Sequence, residues 1–112
     1  SLIGEFMELD RVFEALASTP RRQILAYLSA AELSTTDLAA RFEMSAPAIS
    51  RHLSILENAG LVTSERKGQF VLYKLNGDSL VNTLTGYALE VCPVGASLKR
   101  ESRELGKKKK TA

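Results

Sequence analysis

A chain of 112 residues, 45% hydrophobic and 25% charged, has the length for one domain around one modest core and an ordinary globular composition. No apolar run approaches the roughly 20 residues of a membrane span, and the opening residues carry no signal-peptide pattern. The net charge of +2 is unevenly placed: residues 1–98 hold eight Lys/Arg against eleven Asp/Glu, whereas residues 99–112 hold seven against two. Overall basicity therefore identifies no nucleic-acid binder, and local arrangement has to decide. A lone cysteine, Cys92, has no internal disulfide partner, which points to a reducing, cytoplasmic setting.

Ser1 to Phe6 read as a vector-derived leader ahead of a native start at Met7 and are set aside. Leu9, Val12, Phe13 and Leu16 recur at helical spacing and predict a first helix from Glu8 to about Ser18. Thr19-Pro20 combines an N-cap with proline at the first helical position, where its missing N–H costs nothing. The second helix then runs to about Ser29 and buries Ile24, Leu25 and Leu28. Ser34, with Asp37 three residues on, resembles a capping box and opens a third helix from Thr35 to about Phe42. Its buried face is Leu38, Ala39 and Phe42.

Only Glu43-Met44 separates this helix from the next cap, Ser45, and so short a turn predicts a helix-turn-helix unit. On a helical wheel the fourth helix places Ile49, Leu53 and Leu56 on one side and Pro47, Ser50, Arg51, Ser54 and Asn58 on the other. A merely solvated face is normally rich in Lys and Glu, and the first three turns here have none. A face of small side chains, hydroxyls and one arginine suits insertion into the major groove of DNA. Gly60 ends the helix as its C′ residue.

Leu61–Arg66 and Phe70–Leu75, separated by Lys67-Gly68-Gln69, read as an antiparallel hairpin. Asn76-Gly77 marks a turn, and Asp78 caps a fifth helix whose apolar face includes Leu80, Val81, Leu84, Tyr87, Ala88 and Val91. Pro93 and Gly95 should break it. Leu98–Leu105 is weakly helical by composition, and Lys107–Lys110 reads as a solvated, disordered run. The expected organisation is a leader (1–6), one domain (7–95) and a basic, partly disordered tail (96–112). The expected fold is mainly α with a two-stranded β wing, in the order α1-α2-α3-α4-β-β-α5: a homodimeric winged helix-turn-helix.

Several segments in this order resemble one family. Ala15-Leu16-Ala17-Ser18-Thr19-Pro20-Arg21-Arg22-Gln23-Ile24-Leu25 resembles the opening of ArsR/SmtB-type repressors. Asp37-Leu38-Ala39-Ala40-Arg41-Phe42, Ser50-Arg51-His52-Leu53 and Glu57-Asn58-Ala59-Gly60-Leu61-Val62 resemble the rest of that family's core, and Glu65 to Tyr73 its wing. Within the family the chain looks nearest to the metal-independent, SdpR-like branch of small autorepressors. The resemblance implies a homodimeric cytoplasmic repressor that binds double-stranded DNA at an inverted-repeat operator, with dimer contacts from the first and last helices. It also exposes two departures. The family's metalloid sensors carry Cys-x-Cys at the start of the third helix, where this chain has Leu33-Ser34-Thr35-Thr36-Asp37; its zinc sensors need histidines in the last helix, where this chain has none. No metal or cofactor is expected.

The candidate DNA contacts are Thr35, Thr36, Ser45, Ala46, Pro47, Ser50, Arg51, Arg66, Lys67 and Gln69. Arg51 has the bidentate geometry for guanine, and Ser50 bonds several base edges or a phosphate. Ser45, Ala46 and Pro47 sit at the helix N-terminus, where backbone N–H groups and the dipole suit a phosphate, and Ser45 serves equally as a plain cap. Arg66, Lys67 and Gln69 form the wing tip, a position also often charged without function. Tyr73 reads as wing core. His52, toward the buried side, reads as a hydrogen-bonded structural residue, since the chain offers no set of metal ligands around it. Val12, Phe13, Leu16, Leu80, Leu84, Tyr87, Leu89 and Val91 read either as ordinary core or as a two-fold seam, and the apolar area near both ends favours the seam. Cys92 reads as a small buried hydrophobe at a helix end, with a thiol- or haem-responsive role as the alternative. A winged-helix interaction module without DNA readout is the rival function. An enzyme is not expected, for no paired carboxylate, nucleophile–base or phosphate-loop pattern is present.

Overall fold

The computed structural model describes residues 2–92 and 94–111, in two compact units, 1–81 and 82–112. Six helices and three strands follow in order: α1 (Leu2–Leu16), α2 (Thr19–Leu28), β1 (Leu33–Ser34), α3 (Thr35–Phe42), α4 (Ala46–Asn58), β2 (Val62–Lys67), β3 (Phe70–Leu75), α5 (Gly77–Val91) and α6 (Val94–Thr111). This is the winged helix-turn-helix read from the sequence, with three additions. A two-residue strand, β1, pairs with β3 in the registers Leu33↔Tyr73 and Ser34↔Leu72, so the wing is the outer part of an antiparallel sheet ordered β1-β3-β2. The first helix begins at Leu2 rather than Glu8, running through the stretch set aside as a leader. The tail expected to be partly disordered is an 18-residue helix, α6. Its Leu, Lys, Arg and Glu are strong helix formers, and that propensity outweighs the repulsion among its lysines.

Local chemistry explains the boundaries around the helix-turn-helix. Ser34 accepts from the Asp37 N–H at 3.1 Å while Asp37 accepts from the Ser34 N–H at 2.9 Å, a complete capping box. These bonds hold the Asp37 carboxyl below the usual aspartate range, the backbone bond from Ser34 contributing most. Because the folded value is the lower one, the stabilisation is fully present above the ordinary aspartate pKa. It is lost as pH falls through the depressed value. Ser34→Ala is expected to lower stability by about 1 kcal/mol and to weaken this acid-side dependence. Urea unfolding at neutral and acid pH checks both.

α3 ends at Glu43, whose φ of 52° reverses the chain without a glycine. At the far end of α4, Leu61 N–H donates to Leu56 O at 3.0 Å and Gly60 N–H to Glu57 O at 2.9 Å, the two bonds of a Schellman motif. Gly60 has φ +77° there, a conformation that penalises any side chain. Leu56 and Leu61, the apolar pair that accompanies such a motif, are both fully buried. In the hairpin Lys67 pairs with Phe70 across Gly68-Gln69, and Gly68 (φ +64°) supplies the positive φ that a two-residue turn requires at its first central position.

The core lies within residues 1–81. Val12 and Ala15 of α1, Ile24, Leu25 and Leu28 of α2, Leu38 of α3, and Ile49, Leu53 and Leu56 of α4 close over Leu61 and Val62. Leu16, Phe42, Tyr73, Leu75 and Leu80 pack around it. α5, which runs from the first unit into the second, buries none of its residues, and Leu98 and Leu105 of α6 are exposed.

Candidate nucleic-acid interface

α4 presents the surface that the sequence pattern anticipates. Its inward face, Ile49, Leu53 and Leu56, is fully buried, while Pro47, Ser50, Arg51, Ser54 and Asn58 are exposed. At its N-terminus Ser45 accepts from Ala48 N–H at 3.3 Å, which fills one of the open helix-start donors. Ala46 and Pro47 are exposed there, leaving the Ala46 N–H and the positive helix end accessible to an anion. Thr36 is exposed in the first turn of α3 and Thr35 is half-buried beside it. Arg66, Lys67 and Gln69 are exposed at the hairpin tip.

Two contacts tie the wing to the helices. Ser64 of β2 donates to Glu57 of α4 at 2.6 Å, and Lys67 forms an ion pair with Glu32, just ahead of β1, at 3.3 Å. Both partners of that pair are exposed, so it contributes only about 0–1 kcal/mol and does not withhold Lys67 from a phosphate. Tyr73 is half-buried against the core, as wing packing requires. Burial first, and the Glu57 carboxylate second, push its phenol above the ordinary value.

Sequence reasoning missed the work of Arg21 and Arg22. α1 ends with no basic residue in its last turn, so its final carbonyls need donors from elsewhere. Arg21 supplies Nε to Ala15 O at 2.8 Å and Nη2 to Glu14 O at 2.9 Å. Arg22 supplies Nη1 to Leu16 O at 2.6 Å. Arg21 also reaches α4, with Nη1 at 3.4 Å from His52 Nδ1. A guanidinium only donates, so Nδ1 is the acceptor and His52 carries its proton on Nε2. Burial, then the charges of Arg21 and Arg51, lower the His52 pKa below the ordinary histidine value. His52 is thus a neutral strut behind the exposed face, as its position on the wheel suggested.

Residues 19–64, from α2 into β2, match the pattern described as "Bacterial regulatory protein, arsR family". The transcriptional repressor SdpR of Bacillus subtilis is 38% identical over 76 residues, 68% of this chain and 84% of that protein. The chain belongs to the arsR family. It is a regulatory protein with a winged helix-turn-helix DNA-binding domain, and its relatives are regulators rather than enzymes. Among solved structures, an ArsR-like transcriptional regulator from a Rhodococcus species superimposes with a TM-score of 0.70 at 35% identity, covering 93% of this chain and 94% of that one. A homodimeric winged helix-turn-helix DNA-binding domain from Mycobacterium bovis gives 0.64 at 28% identity, over 76% of this chain and 81% of that one. No helix among the described residues is long and apolar enough to cross a membrane.

Two expectations for this arsR-family chain need correction. Val12 was a candidate for a two-fold seam, but it is 3% exposed within the protomer's own core and has no surface to offer a partner. Cys92, read as a buried hydrophobe, is exposed, with its N–H bonded to Ala88 O at 2.9 Å. The residue after it, Pro93, lies outside the described residues.

Proposed function

We propose that this arsR-family protein is a cytoplasmic homodimeric repressor that reads an inverted-repeat operator and silences transcription by occluding the promoter. The observation that carries the reading is the exposed face of α4, where Ser50 and Arg51 stand clear on a helix whose back is locked into the core. In a two-fold dimer the two α4 helices would enter successive major grooves about 34–36 Å apart. Arg51 and Ser50 would read base edges. Thr35, Thr36 and the α4 N-terminus would hold phosphates, and Arg66, Lys67 and Gln69 would extend the grip along the wing.

Apolar surface on Phe13 of α1 and on Leu84, Tyr87 and Val91 of α5 supports dimerisation. Leu16 and Leu80 are partly buried beside the core and keep less surface for a partner. The relatives point the same way, one named a repressor and one described as a homodimer. Selection of bound fragments from a random duplex pool, followed by footprinting, tests the reading. An enriched inverted repeat protected on successive major grooves is the expected result. Recovery of no sequence preference would defeat it in favour of an interaction module.

Lys67→Ala should weaken binding to all duplexes alike and flatten the dependence of log affinity on log salt by about one unit per protomer, about two for the dimer. Anisotropy titrations at several salt concentrations measure this. Sensing by metal is not expected. The only histidine and only cysteine stand 40 positions apart in the sequence, and no cluster of potential ligands occurs among the described residues. Zinc or arsenite at a few equivalents should leave operator binding unchanged in the native protein and in Cys92→Ser. Metal-induced release of DNA in a gel-shift assay would contradict this.

A further inference from the structure

We propose that α6 is a second nucleic-acid contact, with Lys99, Arg100, Arg103 and Lys107 lying along the phosphate backbone of duplex DNA. The inference rests on the operator-reading function and adds a sequence-independent grip to it.

The charge distribution calls for such an element. Residues 1–81, which carry the reading helix, hold eight Lys/Arg against ten Asp/Glu. Of those eight cations, Arg21 and Arg22 are engaged with α1 carbonyls. A unit of net negative charge is repelled by a polyanion, and the strength of phosphate binding follows the number of cations brought to it. Residues 82–112 reverse the sign, with seven Lys/Arg against three Asp/Glu, and all seven cations fall on α6.

Four of these cations share one face of α6, while Lys108 and Lys109 lie off it. At about 100° per residue, Lys99, Arg100, Arg103 and Lys107 fall within a sector of about 100°. Glu101 and Glu104 fall outside it, and Leu98 and Leu105 lie on the other side. All four cations are exposed. Lys107 also meets Glu104 at 3.5 Å, a largely exposed pair that a phosphate can replace. From Lys99 to Lys107 the stripe runs about 12 Å along the axis, the axial span of about three phosphates on one strand. An anionic membrane would attract the same charges. However, an apolar face of Leu98 and Leu105 gives little to insert, whereas the DNA-binding domain of the same chain holds phosphates at high local concentration.

The test compares the full-length protein with the quadruple variant Lys99→Gln, Arg100→Gln, Arg103→Gln, Lys107→Gln. Glutamine matches these residues in helix propensity, so circular dichroism should be unchanged. Salt titrations are run on the selected operator, on a random duplex, and in parallel on phosphatidylserine-containing vesicles. The expected result is a log–log salt slope shallower by about 2–3 units per protomer, about 5 for the dimer, and at least about a hundredfold loss of affinity at 0.1 M salt. Both duplexes should lose equally, leaving their ratio intact. An unchanged slope with binding retained overturns the proposal. Vesicle binding that needs the stripe, without any change on DNA, also overturns it and assigns the surface to membranes. If the native protein binds all duplexes alike, the operator reading fails, yet a flattened slope in the variant still supports this contact.

Discussion

Arg51→Ala should reduce operator affinity by about 1–3 kcal/mol per half-site if its guanidinium makes a bidentate bond to a base edge. With both half-sites of a two-fold dimer affected and the losses additive, that is about 30-fold to 20,000-fold. Affinity for random duplex should fall far less, because only a phosphate contact or general charge is lost there. The substitution is structurally mild: Arg51 is exposed on α4, and alanine is the best helix former. Arg51→Lys keeps the charge but not the planar fork, and should recover random binding more fully than operator binding. The His52 ring provides an internal check, since the Arg51 charge is one cause of its lowered pKa. That pKa should rise toward the ordinary value in Arg51→Ala and stay low in Arg51→Lys. Equal losses on operator and random DNA would reassign Arg51 to a phosphate and move base reading to other residues of the face.

How much of this was legible in the sequence depended on whether the determining interaction was local. The α3–α4 unit could be drawn residue by residue because Ser34 with Asp37, Ser45, and Gly60 each act within a few positions of themselves. The wing tip was equally local, set by Gly68. The start of α2 was misplaced by one residue: Ser18 and Thr19 are adjacent hydroxyls, and Ser18 caps, accepting from Arg21 N–H at 3.4 Å. β1 escaped because two residues carry no alternation, and it exists only through pairing with β3, about 40 positions away. The capping of α1 by Arg21 and Arg22 depends on a tertiary approach. Its sequence signal was negative: a helix end with neither glycine nor a basic residue. Val12 shows a related limit, for periodicity says which residues are apolar but not whether the protomer or a partner covers them. α6 was read as a tail because its charge drew attention away from its helix propensity, and the sorting of those charges matters only once the helix is there.

Leu84→Glu should convert the dimer to monomer and lower operator affinity by about a hundredfold to ten-thousandfold. In the proposed dimer each bound half-site presents the second α4 at high effective concentration, and a monomer forfeits that gain without losing any contact of its own. Leu84 shares its side of α5 with Leu80, Tyr87 and Val91, which recur at three- and four-residue steps. It is 37% exposed in the protomer, so a carboxylate there can reach water in the monomer but not in the dimer. A two-fold interface repeats the substitution on both subunits and buries two like charges together. Glutamate is nearly as good a helix former as leucine, so α5 itself should persist, with unchanged circular dichroism. Leu89 makes the control: it is 68% exposed but lies about 140° around the helix from Leu84. Leu89→Glu should leave assembly and DNA binding as they were. Sedimentation across a range of concentrations reads both variants. A Leu84→Glu protein that still sediments as an unaltered dimer places the seam on another surface. If it were monomeric with full operator affinity, one α4 would be enough for recognition.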